Sequence, residues 1–210
     1  MATKPAKKAA PVIGGRPYPP ADLDRFIPAE GVMKWVREHI FSPEGAIHNP
    51  DHLHLLDGDI AFMWAPYGFT KQMRKVLGQC EQVMIREGGW KGARQEQQFE
   101  DWFGYVPEFL ITLDAHFCAK CSDEEFCALV EHELYHIAHA LDDFGAPRFS
   151  KTGLPKLKIR GHDVEEFIGV VRRYGATEDV QRLIEAAKQS PEIGKFSIAH
   201  ACGTCIKAAA

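Results

Sequence analysis

A pair of histidines four residues apart constrains this chain more than any other feature. The sequence HELYH contains His132 and His136, and on a helix both imidazoles project from one face. This spacing suits two nitrogen ligands of one tetrahedral zinc ion. Glu133 lies beside the first ligand, where a carboxylate can accept a proton from a water activated by the metal. The motif therefore predicts a zinc-dependent hydrolytic site with Glu133 as general base.

The residues around HELYH predict the helix that this arrangement requires. Ser122 with Glu125 three residues later forms a capping-box pattern, which starts the helix. Gly145 and Pro147 end it, so we expect helix over residues 122–143. The apolar residues at helical spacing are Phe126, Leu129, Val130, Leu134 and Ile137. The alternative is a helix with two solvated histidines, and the apolar context favours the metal site.

Apolar periodicity and turn residues divide the rest of the chain into short elements. The predicted elements are a helix at 29–41, strands at 59–65, 75–84 and 108–117, and helices at 94–102, 163–174 and 179–189. We expect the first two strands to pair with each other. This order of elements predicts an α+β fold with one small, mainly antiparallel sheet packed on the HELYH helix, and with further helices toward the C-terminus.

Length and composition limit the domain organisation and the cellular localisation that we expect for this chain. A length of 210 residues suits one domain with tails. We expect a flexible basic tail at 1–22, which carries Lys4, Lys7 and Lys8, a folded domain at 23–190 and a cysteine-containing segment at 191–210. Neither a membrane-spanning run nor a secretory apolar region is present, so we expect a cytoplasmic protein. The net charge of −4 gives no bulk electrostatic argument for nucleic-acid binding.

The third zinc ligand must come from outside HELYH, because a catalytic zinc has three protein ligands and one open position. Asp142 stands where the pattern HExxHxxGxxH has its last ligand, but His139 replaces the glycine of that pattern. The segment GHDVEEF at 161–167 is a better source. His162 lies just before a predicted helix and Glu165 lies one turn into it. His162, Glu165 or Glu166, and Asp142 are all candidates on this basis, and so is His139, which lies on the same helix face as His132 but a further turn along.

Several segments taken together resemble a known family. HELYH is followed by Gly-Ala-Pro at 145–147, GHDVEEF at 161–167 and VVRRYG at 170–175, and this combination resembles the phage metallopeptidase family over about residues 30 to 175. GHDVEEF is also similar to a segment of the SprT-like peptidases, whose third ligand is a histidine at the start of the next helix. The resemblance implies a zincin-like fold, hydrolysis of peptide bonds and His162 as third ligand. Here Asp-Val-Glu separates His162 from Glu166 and Phe167, a spacing that differs from the SprT-like segment. Glu165 therefore remains the alternative third ligand.

Zincins also suggest where a substrate binds. In them, the strand before the active helix lines the cleft and pairs with an extended peptide. The resemblance assigns this role to residues 110–113. The expected partner is therefore a protein or peptide substrate.

The six cysteines include two CxxC pairs. Cys118 with Cys121, and Cys202 with Cys205, have the spacing of a four-cysteine structural zinc site. Such a site would fix the C-terminus near the start of the HELYH helix. The alternatives are a redox dithiol and free thiols in a reducing compartment, and the separation of the two pairs by about 80 residues favours free thiols.

These observations leave two main classes of function and a third, narrower one. The first is a zinc metallopeptidase. The second is a non-catalytic zincin-fold accessory or host-interaction protein of a phage, which keeps zinc for structure. The third is a DNA-associated SprT-like protease. Glu133 favours the first class, because a structural zinc site does not need a base beside its ligands.

Overall fold

The computed structural model describes residues 13–71, 73–164, 171, 175–193 and 202–204. These residues form an α+β fold with a small mixed sheet and several helices, and the predicted α+β class is confirmed. The elements are β1 (Ile27–Pro28), α1 (Val32–Val36) with a π-helical continuation (Arg37–Phe41), a 3-10 helix (Pro50–Leu55), β2 (Ile60–Ala65), β3 (Phe69–Lys71), β4 (Arg74–Val76), β5 (Gly78–Gln82), α2 (Gly89–Phe103), β6 (Phe109–Asp114), α3 (Ala115–Cys118), α4 (Asp123–Tyr135), β7 (Ile137–His139), β8 (Leu157–Ile159) and α5 (Glu178–Lys188).

The main sheet has four strands in the order β1-β2-β6-β5. The two central strands are parallel, with Ile60 opposite Phe109, and each outer strand is antiparallel to its neighbour. The prediction that strand 75–84 pairs with strand 59–65 is wrong, because β5 pairs with β6 instead. Alternation in sequence identifies a strand and its buried face, whereas the choice of neighbour depends on contacts remote in sequence.

Helices cover both faces of this sheet. One face of β2 and β6 packs into the main core with α1 and α4, through Trp35 and Leu129 among others. The other face packs against α2, through Met63 and Leu110. Every residue of β2 is consequently buried, which is why its sequence is an unbroken apolar run.

The HELYH helix α4 begins as predicted and ends early. Ser122 accepts the Glu125 N–H while the Glu125 carboxylate accepts the Ser122 N–H, so the capping box is confirmed. The helix ends at Tyr135 and not at residue 143, because the chain turns directly into β7 and pairs with β8. Apolar spacing continues past Tyr135, and the distant pairing partner overrides it.

The N-terminal part of the described chain packs against the start of α4. Ile13 and Arg16, which belong to the predicted tail, are 7% and 6% exposed. The Arg16 guanidinium donates to the carbonyl oxygens of Cys118 and Cys121 at 2.9 and 2.7 Å, and to Asp123 Oδ1 at 2.6 Å. These contacts anchor the chain beside the helix that carries HELYH.

Three predicted segments fall largely outside the described residues, and one of them is the C-terminal segment 191–210, of which 194–201 and 205–210 are outside. Residues 1–12 of the tail are outside, and so are 165–170 and 172–174 of the helix predicted at 163–174. In the described part of the chain, no helix is long and apolar enough to span a membrane.

Candidate metal centre

Four side chains from three parts of the chain converge on one point. The ligand atoms of His132, His136, His162 and Cys202 all lie within 4.8 Å of one another. Nε2 of His132 is 3.1 Å from Nε2 of His162, and Nε2 of His136 is 3.0 Å from Sγ of Cys202. This is the only such group of three or more potential ligands among the described residues.

The hairpin of β7 and β8 brings His162 to the helix. It starts one residue after His136 and returns antiparallel, with Ile137 opposite Ile159. Arg160, which follows β8, then bonds the chain to the end of α4. Its N–H donates to the His136 carbonyl at 2.9 Å, and its Nε donates to the Tyr135 carbonyl at 2.8 Å. His162 follows two residues later and reaches the ring of His132.

The backbone of Arg160 also orients the His136 ring. Nδ1 of His136 lies 2.8 Å from the Arg160 carbonyl oxygen, which can only accept a hydrogen bond. Nδ1 therefore carries the proton, and in the neutral ring Nε2 presents its lone pair toward Cys202. A backbone carbonyl that fixes the tautomer in this way is the usual support of a metal-binding histidine.

Burial keeps His132 and His136 in the neutral form that binds metals. It lowers the pKa of His132 to about 4, with a further lowering from the positive charge that His136 and His162 would carry. Burial also lowers the pKa of His136. At neutral pH both rings are neutral, as metal ligation requires.

The donor set fits zinc. Imidazole nitrogen and cysteine sulfur are the ligands that zinc prefers. Two such atoms bound to one tetrahedral zinc lie about 3.3 to 3.6 Å apart, given Zn–N and Zn–S bonds of about 2.0 to 2.3 Å. The closest pairs, at 3.1 and 3.0 Å, need to open by only a few tenths of an ångström.

Glu133 is a buried carboxylate directly after the first histidine. Glu133 is 0% exposed, and burial raises its pKa to about 8, while the interaction with Thr204 opposes the rise. Oε2 lies 3.2 Å from Thr204 Oγ1, whose one hydroxyl proton also has the Cys80 carbonyl oxygen as an acceptor at 3.0 Å, and Oε1 has no hydrogen-bond partner in the described structure. Gly78 of β5 makes room for this carboxylate, since a Cβ there would lie 2.7 Å from Oε1.

The other candidate ligands on the predicted long helix lie elsewhere. Asp142 is exposed in the hairpin, where its Oδ1 accepts the N–H groups of Phe144 and Ala146. Nε2 of His139 is 2.9 Å from the Arg148 carbonyl, and its ring packs on Phe149. Both belong to the part of the chain that leaves the helix after Tyr135. Glu165, the alternative to His162, is outside the described residues.

The structure does not bring the described cysteines of the two CxxC pairs together. Cys118 and Cys121 are buried beside Arg16, whereas Cys202 lies with the histidines. Cys205 is outside the described residues. Sequence reasoning missed the contact of Cys202 with His136 and that of Thr204 with Glu133, and local sequence contains no signal for contacts across 66 and 71 positions.

The strand predicted to pair with a substrate is enclosed. Residues 110–113 belong to β6, which lies between β2 and β5, so both of its edges are already paired. The assignment of an edge-strand role to these residues is therefore wrong. On this side of the sheet, the outermost of the four strands is β5.

Comparison with known proteins identifies one family. The family model described as "Putative phage metallopeptidase" matches residues 27–188, which is more than half of the chain and includes HELYH and His162. Neither a curated protein nor a solved structure matches.

Proposed function

The chain belongs to the phage metallopeptidase family, and from this premise we propose that it is a zinc-dependent peptidase with a zincin-like active site. His132, His136 and His162 are the proposed zinc ligands, and Glu133 is the proposed general base. A protein or peptide is the proposed substrate, and the cytoplasm is the proposed setting. One observation carries the proposal: three histidine nitrogens lie within 4.8 Å of one another, and the residue that follows the first of them in sequence has a buried carboxylate.

Each part of this site has a distinct task. A bound zinc ion supplies the Lewis acidity that polarises the scissile carbonyl and lowers the pKa of the attacking water. Glu133 accepts the proton of that water at its carboxylate and delivers it to the leaving amine nitrogen. The raised pKa of Glu133 has two effects: its ionised form is a stronger base than an exposed carboxylate, and a smaller fraction of it is ionised at neutral pH until a bound cation lowers the pKa again. The Arg160 carbonyl keeps His136 in the ligating tautomer throughout.

The test compares cleavage of an unfolded protein substrate by zinc-loaded full-length variants. Glu133→Gln preserves the volume of the side chain and removes the base, so we expect a loss of at least about 100-fold in rate, with zinc content unchanged. Glu131→Gln is the matched control on the same helix. Glu131 is partly buried, its Oε1 accepts from Asn49, and it is not one of the four grouped potential ligands. The comparison is made in the natural chain and in a Cys202→Ala background, because Cys202 lies beside His136.

Two results would contradict the proposal. One is equal cleavage by Glu133→Gln and its parent, which removes Glu133 as base. The other is zinc bound at one equivalent with no cleavage in either background.

A second candidate function rests on Cys202. A fourth protein ligand gives a closed site, and closed four-ligand sites are those that zinc occupies for structure alone. This favours the alternative of a non-catalytic accessory protein that keeps zinc for its fold. It predicts zinc-dependent stability together with the second of the two contradicting results. For the DNA-associated alternative, the lysines concerned lie outside the described residues.

A further inference from the structure

The segment 202–204 contacts the candidate site at two points. Sγ of Cys202 is 3.0 Å from Nε2 of His136, at the proposed zinc ligands. Two residues later, Oγ1 of Thr204 is 3.2 Å from Oε2 of Glu133, at the proposed base. One short stretch of chain thus lies against both parts of the catalytic machinery.

The same segment pairs with the edge of the main sheet. Gly203 N–H donates to the Gly78 carbonyl at 2.8 Å, and Cys202 forms a parallel bridge with Gly78. Cys80 N–H donates to Thr204 Oγ1 at 2.8 Å, so a side chain continues the pattern along β5. The segment therefore occupies the edge of β5 in the way that an added peptide strand would.

The fit of the segment is tight. Cys202 and Thr204 are 2% and 9% exposed, and Gly203 is buried between them. A Cβ at Gly203 would lie 2.7 Å from Cγ1 of Val76 and 3.0 Å from Cβ of Gln79. Only glycine allows the backbone to approach the sheet this closely.

We propose that the segment 202–204 is an internal inhibitor that keeps the peptidase latent. Cys202 supplies a thiolate as fourth zinc ligand and fills the position that catalysis needs open. Thr204 holds the Glu133 carboxylate, and the paired backbone covers the edge of β5. The inference rests on the proposed function and adds its regulation.

Release of the segment restores a catalytic site by ligand exchange. With a zinc ion held by His132, His136 and His162, the released Cys202 thiolate would take up a proton from solvent, and the fourth position would be open to water. No oxidant or other reactant is required. A segment within the same chain competes for the site at an effective concentration of about 1 mM. A peptide of equal intrinsic affinity, present at about 10 to 100 μM, would therefore occupy the site about 10- to 100-fold less than the segment does.

The first test detects the sulfur ligand directly, without cleavage. Cobalt(II) replaces zinc in the full-length protein, and a thiolate ligand produces a charge-transfer absorption band in the near ultraviolet. We expect the band in the natural chain and its loss in Cys202→Ala. Cys127→Ala is the matched control, because Cys127 is a buried cysteine of α4 that packs in the main core. It should keep the band.

The second test removes the segment from the sheet edge without changing a ligand. Gly203→Val places side-chain atoms against Val76 and Gln79, so the segment should detach and the cobalt band should weaken. Gly88→Val is the matched control, since a Cβ at Gly88 has no atom within 4 Å. We expect cleavage of an unfolded protein substrate to rise about 10- to 100-fold in Cys202→Ala and Gly203→Val, and to stay unchanged in Gly88→Val.

The outcomes separate this inference from the proposed function. A cobalt band that persists in Cys202→Ala overturns the inference whatever the cleavage rates are. Equal cleavage by the natural chain and by both release variants also overturns it, while the proposed peptidase function stands. If the band behaves as expected but no variant cleaves, the proposed function fails and Cys202 belongs to a closed structural site.

Discussion

Nε2 of His162 lies 3.1 Å from Nε2 of His132, although thirty positions separate the two residues in sequence. The hairpin of β7 and β8 is responsible, because it returns the chain to the C-terminal end of α4. The same hairpin carries His139 and Asp142 away from the site. Because the hairpin brings His162, and no other described candidate, to the site, single substitutions of the candidate third ligands should differ in their effect on zinc binding.

We predict that His162→Ala weakens zinc binding more than about 100-fold. Loss of an outer partner of a ligand typically reduces metal affinity 10- to 100-fold, and loss of a ligand itself should exceed that. Competition with a chromophoric chelator measures the affinity. His139→Ala and Glu165→Ala should bind zinc as the natural chain does. A stronger effect of Glu165→Ala than of His162→Ala would transfer the third position to Glu165.

We predict that Gly78→Ala reduces cleavage at least about 10-fold and leaves zinc bound. The added methyl group would lie 2.7 Å from Glu133 Oε1 and 2.8 Å from Leu129 Cδ1, so the carboxylate must shift. A small displacement of a general base has a large effect on rate because proton transfer needs hydrogen-bond geometry. Rates and zinc content are measured in the Cys202→Ala background, with Gly88→Ala as the control in open space. An unchanged rate would show that Glu133 tolerates the shift.

The part of the site on α4 could be predicted from local sequence more fully than the parts contributed by later segments of the chain. The capping box at Ser122 and the helical phase of His132 and His136 depend on neighbours within four residues, so the sequence contains them. The end of α4 at Tyr135 depends on β8, which begins 22 residues later, and apolar spacing alone extends the helix too far. The resemblance to a family supplied His162, which spacing alone left among several candidates.

The remaining part of the site could not be predicted for the same physical reason. Cys202 approaches His136 across 66 positions, and nothing in the Cys-Gly-Thr-Cys spacing distinguishes this contact from a site shared with Cys118. The pairing of β5 with β6 rather than with β2 is a further example, because the local sequence of β5 does not specify which strand edge it joins. Such choices are decided by packing of the whole chain and not by periodicity.

We predict that Arg16→Met lowers the free energy of unfolding by about 2 to 4 kcal/mol, because it removes hydrogen bonds from a charged donor that is itself buried. Two backbone carbonyls and Asp123 would lose their partner. Urea denaturation measures the change. Arg25→Met is the matched control, since Arg25 pairs with Asp24 at the surface and should leave the unfolding midpoint unchanged. Equal midpoints for both variants would remove Arg16 as an anchor of the N-terminal segment.

The last prediction concerns His52, which lies near the site and outside the proposed chemistry. Its ring is 0% exposed, packs on Tyr135 with centroids 4.5 Å apart, and has no hydrogen-bond partner among the described residues. Burial lowers the pKa of His52 to about 4, and the charge that His54 would carry lowers it further. The folded protein therefore holds this ring neutral at a pH where the unfolded chain protonates it.

The sign of the effect on stability follows from that difference. Above pH 6.5 neither state protonates the ring, so the contribution of His52 is fully present. As the pH falls from 6.5 toward 4, the unfolded state gains a proton that the folded state does not bind, and stability declines. With these two pKa values the decline between pH 7.5 and pH 5 is about 2 kcal/mol.

His52→Phe keeps an aromatic ring and removes the titration. We expect its free energy of unfolding to decline less than that of the natural chain over this range, by about 2 kcal/mol. Urea denaturation of both proteins with a chelator present measures the difference. The other titrating groups, including Glu131 at 3.8 Å from His52 Nε2, are the same in both chains. The comparison uses the slope with pH, so a uniform change in stability from the larger ring does not affect it. Parallel curves for the two proteins would mean that His52 is protonated equally in the folded and unfolded states.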